Sequence, residues 1–88
     1  MGEQFSVSVV VPAYNCENTV SQTIQAILYQ TYPLKSVIVV DDGATDGTAN
    51  RVKSFPKVTY IYQENAGPAS ARNRGAKSAT TDLIFFTD

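Results

Sequence analysis

The sequence predicts an α/β fold with a parallel sheet. Two observations carry this. Short β-branched or aromatic runs alternate with segments whose apolar residues recur at helical spacing. Proline, glycine, asparagine or aspartate punctuates each junction. Strict alternation of this kind gives parallel strands joined by right-handed crossovers, with helices on the faces of the sheet.

Ser6 to Val11, SVSVVV, reads as a buried strand stopped by Pro12. Glu17 to Gln30 carries Val20, Ile24, Ile27 and Leu28 on one helical face. Asn15 or Asn18 can cap its start. Pro33 forces its end, because the residue before a proline avoids helical angles. Ser36 to Val40 is a second strand. Thr45 or Asp46 opens a second helix that runs to about Ser54. Pro56 separates it from a third strand, Val58 to Tyr62. Gly67-Pro68 opens a third helix, with proline at its favoured first position. Small residues on that helix (Ala69, Ser70, Ala71, Gly75, Ala76, Ala79) let it lie close to the sheet. Leu83 to Phe86 is the fourth strand. The order is β-α-β-α-β-α-β, a Rossmann-like arrangement with expected strand order 3-2-1-4.

The 88 residues suffice for one small domain. Seven basic and eight acidic side chains leave a net charge of -1, which argues against nucleic acid or an anionic membrane as the main partner. The chain has no histidine, so histidine metal sites and triads are excluded within it. Cys16 is its only cysteine, so it forms no internal disulfide and no thiolate zinc cluster. The chain ends on LIFFTD, an apolar strand of a sheet type that needs cover on both faces. It therefore reads as a tail, residues 1–5, followed by residues 6–88 as the N-terminal, truncated part of a longer domain. The exposed fourth strand is expected to favour a homo-oligomer through its edge.

Ligands of such sheets sit beyond the carboxyl ends of the strands, where the strand order reverses. There the sequence places Pro12, Ala13, Tyr14, Asn15 and Glu17 after strand one, and Asp41, Asp42 and Gly43 after strand two. Glu64, Asn65, Ala66 and Gly67 follow strand three and lead to Arg72 and Arg74; Asp88 follows strand four. The chemistry suggested is recognition of a nucleotide. Asp41 or Asp42 can accept from a base N–H or a ribose hydroxyl, an arginine can offset diphosphate charge, and Asp88 can help hold a hard divalent cation. Each residue also has a plainer role. Asp42-Gly43 can be only a turn, Asp46 a helix-start residue, Tyr14 a cover for the sheet edge, Cys16 a small filler, and Arg72 the partner of Asp82 or Glu64.

Taken together, VSVVVPAYNCENTV, QTYP, VIVVDDGATDGT and ENAGPASARNRGAKSATTDLIFFTD resemble the family 2 glycosyltransferases of GT-A fold, over nearly all of residues 6–88. The resemblance implies transfer of a sugar from a nucleotide-sugar donor, most often a UDP-sugar, in polysaccharide or glycan synthesis. It implies that Pro12, Ala13 and Tyr14 pack against base and ribose, and that Glu17 faces the nucleoside. By the same resemblance Asp41 would accept from the uracil N–H, with Asp42 as its neighbour in the motif. Gly67, Ala71, Arg72 and Asn73 match the segment that closes over the nucleotide. Asp88 matches the first acid of the family's D-x-D motif, which implies a site for Mn²⁺ or Mg²⁺. The parent would act in the cytoplasm or on the cytoplasmic face of a membrane, on a saccharide or lipid-linked acceptor. Two departures stand out. Gly43-Ala44-Thr45 replaces the usual Gly-Ser, and the second acid of D-x-D, the catalytic base and the acceptor site all fall beyond Asp88. The 88 residues alone are therefore expected to lack transferase activity. An NAD-type domain needs a glycine-rich turn where this chain has VPAYNCEN. A receiver domain places its acid pair after the first strand. A non-catalytic nucleotide-binding or interaction module of the same fold is the remaining alternative.

Overall fold

A computed structural model describes residues 5–30 and 34–87. The elements follow in the predicted order: β1 (Val7–Ala13), α1 (Val20–Leu28), β2 (Leu34–Asp42), α2 (Thr48–Lys53), β3 (Val58–Gln63), α3 (Pro68–Ser78) and β4 (Leu83–Phe86). The four strands form one sheet in the order β3-β2-β1-β4, and every pairing is parallel. The expected α/β class and strand order are therefore observed.

Side chains alternate between the two faces of a strand, so the β-branched runs of β1 and β2 feed two cores. Val9, Val11, Val37 and Val39 meet Val20, Ile24 and Ile27 of α1 and Val52 of α2. On the opposite face Val10, Ile38 and Val40 meet Ala71 of α3. The small residues of α3 do bring it close. A Cβ built on Gly75 would lie 2.4 Å from Val10 Cγ1 and 3.2 Å from Val40 Cγ2. Glycine is required there by proximity, at the expense of helix propensity.

Three sequence expectations are corrected. β1 does not stop at Pro12 but runs through it to Ala13. β4 pairs only as far as Phe86, opposite Val10, so beyond that point β1 has a strand on one side only and tolerates a proline. β2 runs to Asp42, so both acids belong to the strand. The start of α1 is Thr19, with no side-chain cap, and neither Asn15 nor Asn18 serves it. Asn15 adopts a φ of +46° and accepts the N–H of Thr45 across the loops at 2.8 Å. Pro33, expected to end α1, and residues 1–4 of the tail lie outside the described residues. β4 is an edge strand on which Leu83, Phe85 and Phe86 are all exposed.

Replacing Gly75 with valine should lower stability by about 1–3 kcal/mol, the usual cost of overpacking. Urea unfolding monitored by circular dichroism measures this.

Candidate functional site

The site begins at the end of β2, where two acids stand side by side. Because they are consecutive on a strand, they point to opposite faces of the sheet. Asp41 shares its face with Val37 and Val39. It is 1% exposed; its Oδ1 accepts the Ala44 N–H at 2.8 Å and its Oδ2 accepts the Tyr60 hydroxyl at 2.6 Å. Burial, and then this bond, push the Tyr60 phenol well above its ordinary range. Lys53 Nζ sits 4.9 Å from the centre of the same ring. Asp41 thus closes the turn after β2 from within.

Asp42 shares its face with Ile38 and Val40 and is 4% exposed. Its Oδ1 accepts from Gln63 Nε2 and from the Ala66 N–H, each at 2.8 Å. Its Oδ2 accepts from the Gly67 N–H at 3.0 Å and from Asn65 Nδ2 at 3.2 Å, and its carbonyl oxygen takes Asn65 Nδ2 at 3.0 Å. The Gln63 amide foremost, aided by the Ala66 and Gly67 N–H groups, holds this carboxyl below its ordinary range against the opposing effect of burial. A residue with a side chain could not stand at Gly43 beside it. There φ is +80°, and a Cβ would lie 2.7 Å from the Asn65 nitrogen.

Above Asp42 opens a crevice of about 660 Å³, within the range of small-molecule sites. Pro12 and Ala13 at the end of β1, and Tyr14 just after it, form one wall. Asn65 and Gly67 of the preceding loop and Pro68 and Arg72 of α3 form the other, and Asp42 forms its floor. Tyr14 is 53% exposed, so its ring has a face free to cover a planar ligand. Among the described residues no carboxylate pairs with Arg72. Asp82, its proposed partner, instead accepts from the Ser6 N–H and hydroxyl. Among the described residues the crevice therefore offers a buried anion at its floor and, on its wall, a cation with no carboxylate partner.

Of the residues expected here, Pro12, Ala13, Tyr14, Asp42, Gly67 and Arg72 come together. Asp41 and Glu17 do not line the crevice. Asp41 faces the α1 side of the sheet through strand alternation. Glu17 Oε1 accepts the Gly47 N–H and its own N–H donates to Asp46 Oδ2, clamping the first loop to the start of α2. The N-cap of α2 is Gly47, not Thr45 or Asp46 as expected; Asp46, one residue before it, accepts from the Thr48 N–H at 2.9 Å and the Thr48 hydroxyl at 2.6 Å and so braces the helix start. These bonds, the hydroxyl's first, lower its pKa. Cys16 packs against the α1 core as a filler; burial raises its pKa. Asp88, the expected metal ligand, lies outside the described residues. Among the described residues no group of three or more acidic, cysteine or histidine side chains could hold a metal ion. No helix among them is long and apolar enough to cross a membrane. Asn65, expected at this end of the sheet without a ligand role, and Pro68, expected only as the helix start, also line the crevice. The signal available for both was their place between β3 and α3, at the carboxyl end of the sheet.

The model of the family described as glycosyl transferase family 2 matches residues 8–88. Glycosyltransferase GlyA of Streptococcus pneumoniae serotype 4 is 37% identical over 86 residues, covering 93% of this chain and 12% of that protein. The crystal structure of S. aureus TarS 1-349 in complex with UDP superposes with a TM-score of 0.86 at 30% identity, over 94% of this chain and 27% of that one. The mannosyltransferase PcManGT from Pyrobaculum calidifontis, in complex with GDP-Man and Mn²⁺, superposes with a TM-score of 0.77 at 30% identity, over 93% and 26%. The chain thus spans well under two thirds of each of these relatives.

The Asp42 bonds give stability a definite pH dependence. Its folded-state pKa is lowered from the ordinary 3.8, so the unfolded chain takes up this proton first as pH falls. The contribution is present above that value and is lost as pH falls through the folded-state pKa. Asp42→Asn should therefore lower the urea midpoint at pH 7. Its difference from the unmodified chain should shrink below about pH 3.8. Parallel urea titrations from pH 7 to pH 2 measure this.

Proposed function

The chain belongs to glycosyl transferase family 2, and from that premise we propose that its crevice binds the nucleotide of a nucleotide-sugar donor. The donor of first choice is a UDP-sugar. The parent enzyme would transfer the sugar to an acceptor hydroxyl, on a saccharide or lipid-linked acceptor, in polysaccharide or glycan synthesis, at the cytoplasmic side. The observation that carries the reading is a buried carboxylate at the crevice floor beside an arginine on its wall that pairs with no carboxylate among the described residues. A nucleoside diphosphate needs both, an acceptor for a base N–H and a cation for the phosphates. The UDP complex of TarS supports a uridine nucleotide; the GDP-Man complex of PcManGT keeps a guanine nucleotide as the alternative to test.

In this reading Tyr14, with Pro12 and Ala13, covers the base and ribose. Asp42, the acid in the crevice, takes the role that the resemblance gave to Asp41. Arg72 faces the diphosphate, and Gly67 shapes the entry of α3 around it. Asp41 and Glu17 act through the loops they fix. A divalent cation would neutralise phosphate charge. The described residues offer no cage for one, so Asp88 is its proposed protein contact, with the phosphates supplying further oxygens. The exposed β4 edge would pair with a second copy of the chain.

UDP should bind the isolated chain with a Kd on the order of 0.1–1 mM, followed by NMR or calorimetry with and without Mn²⁺. Arg72→Ala should weaken UDP about tenfold and leave uridine unchanged. A folded chain that binds none of UDP, GDP and dTDP would sink the reading. Equal UDP affinity in the variant would remove Arg72 from it. For the edge, light scattering should show mass above the monomer at high concentration; a strict monomer there refutes edge pairing.

A further inference from the structure

The carboxylate of Asp42 offers about four acceptor positions, and the fold already fills four. Gln63 and Ala66 donate to Oδ1, and Asn65 and Gly67 donate to Oδ2. A ligand N–H can reach this carboxylate only by replacing a donor. Both partners of Oδ2 line the crevice, whereas neither partner of Oδ1 does. The donors of Oδ2 therefore stand at the crevice and those of Oδ1 do not. Of the two donors on Oδ2, Gly67 is fixed by the backbone. Its carbonyl accepts the Ala71 N–H at 3.1 Å to begin α3, and α3 is pressed flush on the sheet through Ala71 and Gly75. Asn65 is an exposed residue; its side-chain amide makes the longest of the four bonds at 3.2 Å and holds a second bond to the Asp42 carbonyl at 3.0 Å.

We infer that Asn65 is the exchangeable donor that occupies the ligand position on Asp42 and gates which base edge can bind there. The inference rests on reading the crevice as a base site. On binding, one ligand N–H takes the place of the Asn65 amide at Oδ2. The amide retains its bond to the Asp42 carbonyl, so the exchange trades one hydrogen bond for another. A base whose edge presents a single imide N–H, as uracil does, fits this exchange. A cytosine edge has no such donor and would turn a lone pair toward the carboxylate. A guanine edge brings two adjacent donors to a carboxylate with one position to yield, because Oδ1 remains held by Gln63 and Ala66. The crevice is thus selective for a uracil-type edge, and Asn65 sets the threshold.

The probes are uridine, 3-methyluridine, which lacks the imide N–H, and guanosine, titrated into the ¹⁵N-labelled chain. Uridine should move the side-chain amide resonances of Asn65 and leave those of Gln63 in place. 3-Methyluridine should not move them, and guanosine should bind more weakly than uridine. Asn65→Ala should bind uridine about two- to tenfold more tightly, the worth of one net hydrogen bond, with no gain for 3-methyluridine. Movement of the Gln63 amide instead, equal binding of uridine and guanosine, or an unchanged uridine to 3-methyluridine ratio in a folded Asn65→Ala overturns the inference while the base site stands. A folded chain that binds no nucleoside overturns the base-site reading and the inference together.

Discussion

One carboxylate ties the working end of this molecule together. Asp42 stands at the last position of β2 and gathers donors from the end of β3, the following loop and the first backbone N–H groups before α3. A buried anion left unpaired would be costly, and removing a partner from such a group destabilises more than the bond itself is worth. The loop between β3 and α3 is therefore obliged to wrap around Asp42. That wrapping sets the wall of the crevice and places Arg72 on it.

The opposite wall is fixed by a second set of bonds that never touches the crevice. Asn15, Cys16 and Glu17 in the loop after β1 reach across to Thr45, Thr48 and Gly47 at the start of α2. Helical capping of α1 is forgone for these cross-loop bonds, which hold Pro12, Ala13 and Tyr14 over the sheet. Asp41 closes the intervening turn from beneath through Ala44 and Tyr60. The crevice is thus framed by acids that differ in task although they are neighbours in sequence. The two adjacent charges of VIVVDDG coexist because the sheet lies between them and each finds its own donors.

The architecture was legible in the sequence because hydrophobic periodicity and turn residues are local signals. The β-branched runs, the small residues of α3 and Pro68 at its start all fall where their chemistry implies. Six residues of the crevice were legible for a related reason. Once the strand order is known, the carboxyl ends of β1, β2 and β3 must meet. The hydrogen-bond partners of Asp41 and Glu17, and the start of α1, were not legible. Each involves a contact between residues about twenty to thirty positions apart, and no local pattern reveals which of several polar residues will make it. The tolerance of Pro12 within β1 is likewise non-local, since it depends on where β4 ends.

The sequence by itself determined the α/β class, the strand order and the neighbourhood of the site, because apolar period and topology leave few alternatives. It also supplied the glycines at 43 and 75, whose purpose is spatial. Only the tertiary structure decided which acid faces the crevice and which faces the core. Those two residues are chemically identical and adjacent, and what separates them is the register of β2 against the helices on either side. The same holds for the donors on Asp42. The residues were present in the sequence from the start, but the pairing of Gln63 with Oδ1 and Asn65 with Oδ2 exists only where β3, its loop and α3 close around the carboxylate.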